Sequence, residues 1–374
     1  RQRQMCIRDR SNYYTVSYYL GNGSTNAAYQ KLTQTVEEGT VVTFAKVPAR
    51  TGYVNQGWSS KKNSEKATAK AKCTVNKNIT LYAVQKKAVQ LTFHRCDGST
   101  WQKTTLAKGS SYSLPGVRDA EGYTFMGWST KPMQSVSPQY EAEEKITVNG
   151  NVDLYAVVFN RTTETDLTED QLPQVDIYKY KQVIFVGDSR TEFMENVLTG
   201  MGESATKNVK FVCSAGKGLD WFTTTGWAQL YSIVQHDSNS ILSKKTAVIF
   251  NFGVNDLSKS ADYAEYYNWI APQLKSKGCE LYFMSVNPVN RLMLPNAGRA
   301  DRSEAAVRSF NQYMKANLSS AYTYIDMYSY LKSTGYSFAS DHYGTGTVDD
   351  GLHYTTRTYK RIFAKCMDSL RVPA

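Results

Sequence analysis

Val183-Ile184-Phe185-Val186-Gly187-Asp188-Ser189-Arg190 decides the fold of the second half of the chain. Four consecutive apolar residues, three of them β-branched, are too few for a helix and predict a strand buried on both faces. The glycine ends it, and Asp-Ser-Arg leads into a helix-like stretch near 190–200. The same alternation recurs downstream. Val209-Lys210-Phe211-Val212, Ala247-Val248-Ile249-Phe250, Leu281-Tyr282-Phe283-Met284 and Tyr324-Ile325 read as further strands. Helix-like segments lie between them near 221–236, 261–277 and 301–318, with a last one near 355–370. Strands separated by helices are the sequence form of a parallel sheet covered on both faces, an α/β domain over 180–374. Such sheets gather their sites at the carboxyl ends of the strands.

Ser189 sits at such an end, beside the positive end of a helix, where a nucleophile is well placed. Taken alone, Asp188 or Ser189 is equally readable as a helix N-cap. A nucleophilic serine needs a base, and the chain holds four histidines: His94, His236, His342 and His353. His94 falls on a strand-like segment of the first half, His236 closes a helix, and His342 lies in a Ser/Asp/Gly-rich loop. His353 belongs to Asp350-Gly351-Leu352-His353, whose three-residue spacing in a turn lets the carboxylate hold one ring nitrogen while the other faces Ser189. The third strand ends in Asn251-Phe252-Gly253-Val254-Asn255-Asp256, placing the Asn255 amide where it could donate to a developing oxyanion. The second ends in Cys213-Ser214-Ala215-Gly216-Lys217-Gly218, and Gly216 or Gly218 could supply a backbone N–H beside that of Ser189. Arg190 and Asn287, the latter in Ser285-Val286-Asn287-Pro288-Val289, are read as candidates for a substrate pocket. Asn287-Pro288 is equally a strand stop.

Four segments in order, Gly187-Asp188-Ser189, Gly216 to Gly218, Gly253-x-Asn255-Asp256 and Asp350-x-x-His353, resemble the SGNH (GDSL-like) hydrolase superfamily over about 190 residues. The resemblance implies a flavodoxin-like three-layer α/β/α esterase. Its nucleophile would be Ser189, its triad partners Asp350 and His353, and its oxyanion donors Ser189, Asn255 and Gly216 or Gly218. It implies neither metal nor organic cofactor. Arg190 departs from the leucine that many members carry there.

The first half repeats. Gly52-Tyr53 with Gly57-Trp58-Ser59 returns as Gly122-Tyr123 with Gly127-Trp128-Ser129, and Thr74-Val75-Asn76 with Leu81-Tyr82-Ala83-Val84 returns as Thr147-Val148-Asn149 with Leu154-Tyr155-Ala156-Val157. Two tandem modules are expected over 11–87 and 88–160. Alternating stretches such as Tyr14-Thr15-Val16-Ser17-Tyr18 make each β-rich. They resemble the Listeria-Bacteroides, internalin B-repeat-like modules of bacterial surface proteins, which implies small β-grasp-like domains. Residues 161–179, polar, acidic and Thr-rich, read as an exposed linker.

Composition bounds the rest. Residues 1–160 hold 21 Lys+Arg against 11 Asp+Glu, and 161–374 hold 23 against 22, so +10 of the net charge of +11 belongs to the N-terminal half. A basic surface attracts polyanions such as anionic wall polymers, and no nucleic-acid motif accompanies it. No apolar run approaches the roughly 20 residues of a membrane-spanning helix. Six dispersed cysteines form neither a disulfide scaffold nor a zinc site, though a Cys213–Cys279 bridge stays open. The opening Arg1 to Arg10 has no apolar core, is no signal peptide and reads as non-native sequence before a truncated gene. These readings lead to a secreted or surface bacterial esterase that removes O-acetyl groups from a polysaccharide or peptidoglycan. A lipid or aryl esterase of the same fold, or an adhesin with an inert hydrolase-like domain, are the alternatives.

Overall fold

A computed structural model describes residues 11–176, 179–237, 245–294, 302–340 and 349–370. The opening decapeptide therefore lies outside the described residues. The chain forms two compact units: one holds residues up to Phe93 with 101–112 and 146–153, the other 94–100, 113–145 and 154 onward.

In the first unit Tyr13–Tyr19 runs antiparallel to Gln34–Glu37 and parallel to the long strand Ile79–His94, which also pairs antiparallel with Tyr53–Ser59. Alternation puts Val16, Tyr18, Trp58, Leu81 and Ala83 into one small core. The Gly-Trp-Ser landmark has a structural cause. Gly57, at φ +122°, carries a β-bulge that turns Trp58 inward, where its indole donates to Ala45 O at 2.6 Å, and the Ser59 hydroxyl accepts Lys61 N. In the second unit Gly127 (φ +143°), Trp128 donating to Pro115 O at 2.8 Å, and Ser129 accepting Lys131 N repeat the device.

The second unit is built on a five-stranded sheet. β1 (Tyr180–Gly187) lies between β2 (Val209–Cys213) and β3 (Lys245–Asn251), followed by β4 (Cys279–Met284) and β5 (Tyr322–Ile325). The order is β2-β1-β3-β4-β5 and all four pairings are parallel, the flavodoxin-like order. Successive residues face opposite sides. Ile184, Val186, Val248 and Phe250 pack against α2 (Trp227–Asp237), α3 (Ser260–Ser276) and α4 (Glu304–Asn317). Val183, Phe185, Ala247 and Ile249 pack against α1 (Ser189–Thr199), α5 (Met327–Thr334) and α6 (Thr356–Ser369). Sheet and helix layers thus follow the expected α/β/α arrangement. Among the elements not expected are α5, too short for helical periodicity and started by the Asp326 side chain accepting Ser329 N, and the antiparallel pair β6 (Phe338–Ser340) and β7 (Asp349–Tyr354).

Segment 161–179 is not an exposed linker throughout. Glu164, Leu172 and Val175 are buried. Glu164 accepts Arg361 Nη1 at 2.9 Å and the hydroxyls of Thr358 and Ser337, so a paired carboxylate from the acidic stretch docks on α6. The second-repeat residues of this unit also pack on the sheet domain. Lys332 Nζ, buried, meets Glu304 at 2.6 Å, Glu141 at 3.0 Å and Met126 O at 2.9 Å. Gly335, at φ +82°, lies so close to the Phe159 ring that a Cβ would stand 2.3 Å from it.

Cys213 and Cys279 are both free thiols, which closes the bridge left open above. Cys213 ends β2 and Cys279 begins β4, three strand spacings away across β1 and β3. At strand spacings of about 4.8 Å that is roughly 14 Å, twice the reach of a disulfide.

Candidate active site

In a 2-1-3-4-5 sheet the connections leave β1 and β3 in opposite directions, opening a crevice at their carboxyl ends. The residues after β1 and β3 are Asp188-Ser189 and Phe252 to Asp256. Asp188 caps α1 through its side chain, which accepts Arg190 N at 3.0 Å, and Ser189 is the first helical residue. Both readings of this dipeptide therefore hold at once, cap for Asp188 and strand-end serine for Ser189.

His353 reaches Ser189 from the far end of the chain. Its Nε2 stands 2.9 Å from Ser189 Oγ, and its Nδ1 stands 2.6 Å from Asp350 Oδ2. The other carboxylate oxygen, Oδ1, accepts the backbone N–H groups of Leu352 (2.8 Å) and His353 (2.7 Å). That local ring closes because Gly351 adopts φ +68°, and a Cβ there would lie 2.4 Å from Asn290 O. The motif thus sits in an irregular strand, β7, rather than a free turn. An ionised Asp350 keeps the ring proton on Nδ1, leaving the Nε2 lone pair to accept from the Ser189 hydroxyl. The Phe193 ring, edge-on at 4.8 Å, fixes the imidazole from one side. Ser189, His353 and Asp350 are all nearly inaccessible.

The oxyanion candidates form a second cluster. Asn255 Nδ2 donates to Lys217 O at 2.8 Å, and a two-hydrogen amide keeps one further hydrogen to give. Asp256 ties the same loops together, accepting Leu219 N at 2.9 Å and Tyr263 OH at 2.7 Å. Gly218 lies against that carboxylate, where a Cβ would come within 2.3 Å of Asp256 Oδ2. Gly216, at φ +69°, has nothing within 4 Å of such a position. The two glycines thus differ in how firmly the fold holds them.

Two arginines hold these clusters. Arg190, placed in the substrate pocket by the sequence reading, instead turns into the protein. It is buried, and it donates to Leu352 O (3.0 Å), Asn287 O (2.9 Å) and Pro288 O (2.9 Å), above the Tyr354 ring. It fastens the residue before His353 to the loop after β4. Asn287 is buried as well, held through its backbone, and its Oδ1 has no hydrogen-bond partner among the described residues. Arg302 was not singled out from sequence. It donates to Asn255 Oδ1 at 2.6 Å and to Val254 O at 3.1 Å, orienting the amide. No sequence signal marks it, since it lies 47 residues from its partner on a segment without motif.

Asp188 is fully enclosed. Burial pushes its carboxyl up to about 6, against the pull of Arg190. Of the other histidines, His94 stacks on Tyr155 and meets Gly98 O, while His342 and the side chain of His236 lie outside the described residues.

Residues 183–366 match the model of the GDSL-like lipase/acylhydrolase family, and 14–84 and 90–157 each match the Listeria-Bacteroides repeat domain. Among curated proteins, a candidate Gly-rich membrane protein of Evansella cellulosilytica is 26% identical over 146 residues, 39% of this chain. The match spans 16% of that relative's length. Among solved structures, a candidate acylhydrolase from Bacteroides fragilis aligns at 15% identity over 54% of this chain and 92% of its own, with a TM-score of 0.35. The C-terminal catalytic domain of Streptococcus pneumoniae peptidoglycan O-acetyltransferase A aligns at 16% identity over 51% and 92%, with a TM-score of 0.30.

Proposed function

Residues 183–366 belong to the GDSL-like lipase/acylhydrolase family, and we propose that they form a serine esterase acting through Ser189, His353 and Asp350. The observation that carries this reading is the continuous hydrogen-bonded chain from Ser189 Oγ through both ring nitrogens of His353 to a doubly anchored Asp350.

As Ser189 Oγ adds to an ester carbonyl carbon, His353 Nε2 takes its proton and Asp350 stabilises the imidazolium. The carbonyl oxygen becomes an oxyanion, received by the N–H of Ser189, the free hydrogen of Asn255 Nδ2 and a glycine N–H. That glycine is Gly216 or Gly218, of which Gly218 is the more tightly held, against the Asp256 carboxylate. Collapse expels the alcohol, protonated by His353. A water then adds to the acyl-enzyme by the reverse route and releases the acid.

The substrate within this proposal is an O-acetylated carbohydrate of the cell wall or an extracellular polysaccharide. The two surface-type repeats in the same chain support it, as they support a secreted or wall-attached location and contact with anionic wall polymer. The domain limits are part of the proposal: modules 11–87 and 88–160, connecting segment 161–179 and hydrolase 180–374.

The test compares acetate release from acetylated xylan and acetylated peptidoglycan with hydrolysis of p-nitrophenyl esters of rising chain length. Wild type should release acetate, and Ser189→Ala should lose turnover by about 10⁶-fold, as triad serines do. Turnover unchanged in Ser189→Ala would refute the nucleophile, and a preference for long acyl chains would favour a lipid esterase.

A further inference from the structure

The two repeats share a fold device and differ in charge. Residues 11–93 carry 11 Lys+Arg against 3 Asp+Glu, whereas 94–160 carry 6 against 7. The basic character of the chain is therefore a property of the first repeat. It concentrates in the loop between Tyr53–Ser59 and Lys72–Val75, where residues 61–72 hold five lysines and one glutamate. The matching stretch of the second repeat, 131–145, holds two lysines and three glutamates, two of which pair with Lys332 and Arg291.

This loop borders a concavity. A cleft of about 590 Å³ in the first unit is lined by Asn22, Ser24, Asn26, Asn63, Ser64 and Arg50 among others. Among the described residues Arg50 is its only charged lining residue, and its guanidinium rests 3.8 Å above the Tyr53 ring with no ion pair to any of them. The Lys62 stem lies across Gly23, where a Cβ would come within 2.7 Å of Lys62 Cε, which sets its ammonium beside the 21–24 turn at the cleft. Asn22 and Asn26 use their carbonyl oxygens on backbone N–H groups of the turn and the short helix, leaving their NH₂ groups to donate. The side chains of Asn63 and Ser24 make no hydrogen bond at all within the described residues. Tyr29 also lines the cleft, and its buried hydroxyl has no partner among the described residues either. At the repeat offset, the position of Arg50 holds Ala120.

Fixed amides and hydroxyls around one guanidinium recognise a polyol bearing an anionic group, and the flanking lysines suit a chain that repeats it. We propose that this cleft of the first repeat is a binding site for an anionic carbohydrate polymer, one whose sugar or polyol units carry carboxylate or phosphate. The proposal deepens the wall-polymer contact in the functional reading above by assigning it to one repeat and one cleft.

The test measures binding of the full chain to immobilised polygalacturonate, to poly(glycerol phosphate) and to neutral dextran, which separates carboxylate from phosphate sources. All arms are run on wild type and on Ser189→Ala, so the outcome stands whether or not the esterase reading does. Wild type should bind at least one anionic polymer at least tenfold tighter than dextran, and more weakly in high salt. Arg50→Ser with Lys62→Ser and Lys66→Ser should reduce affinity at least tenfold. Ser24→Ala with Asn63→Gly, the glycine suiting the φ of +56° at Asn63, should reduce it at least threefold without changing net charge. Lys103→Ser with Lys108→Ser and Lys145→Ser should change it less than twofold. Equal losses from the two lysine-bearing sets, or no loss from the uncharged pair, would reduce the site to bulk charge and overturn the proposal. So would failure to bind either anionic polymer.

Discussion

The two sides of the candidate active site are each held by an arginine, and the two arginines work differently. On the histidine side, Arg190 is enclosed and gives its hydrogen bonds to three backbone carbonyls, one in β7 and two in the loop after β4. On the oxyanion side, the half-buried Arg302 grips one side-chain amide and one carbonyl. A buried guanidinium among carbonyls is structural in its effect, because removing it strands acceptors away from water. An arginine on a side-chain amide sets orientation, and its removal leaves groups that solvent can reach. The histidine side should therefore couple stability to catalysis, and the oxyanion side should affect catalysis alone.

The largest effect tests the histidine side at its root. Asp350→Asn should keep the fold but lower kcat about 10⁴-fold, because an asparagine favours the wrong imidazole tautomer. A loss below tenfold would show that Asp350 does not govern the tautomer.

The arginines come next and bear on the comparison directly. Arg190→Leu takes that donor from the carbonyls of Leu352 and Asn287, each costing about 1–3 kcal/mol, while Pro288 O keeps the Tyr354 hydroxyl, so Tm should fall by several degrees together with kcat. Arg302→Leu should leave Tm almost unchanged and lower kcat with KM steady, by less than the roughly 10² to 10³-fold of a lost oxyanion donor. If Arg302→Leu proved the more destabilising of the two, the distinction between the sides would break.

The smallest effect concerns Asp188, which links Ser189 to α1. Its folded-state pKa, raised by burial to about 6, exceeds the ordinary carboxylate value, so the native state binds the proton more tightly than the unfolded chain. Stability from this group is present below the unfolded value and is lost as pH rises from about 4 through about 6. Asp188→Asn keeps a capping oxygen without the charge. Its Tm relative to wild type should rise by a few degrees between pH 4 and 7 and stay level above, measured by calorimetry. A difference independent of pH would show that Asp188 is not the group that titrates.

Much of this architecture could be read from residues near one another in the chain. Runs such as Ala247-Val248-Ile249-Phe250 announce strands buried on both faces, and Gly187-Asp188-Ser189 lies where such a strand turns into a helix. Asp350 and His353 were legible as a pair because three residues separate them. The helix Met327–Thr334 was not, being too short for its period to show. Arg190 was visible as a departure from a family pattern, but its direction was not: the sequence reading turned it toward substrate, and the structure turns it toward Leu352.

Periodicity, strand-end motifs and the paired Gly-Trp-Ser landmarks are properties of neighbouring residues, so the sequence alone determined the α/β order of the hydrolase, the duplication of the repeats and the residue types of the candidate triad. Partner choice over long separations has no such local trace. Arg190 with Leu352, Glu164 with Arg361, and Lys332 with Met126 lie 162, 197 and 206 residues apart. Their meetings depend on which buried polar group each packed surface leaves unsatisfied, and only the tertiary structure decides that.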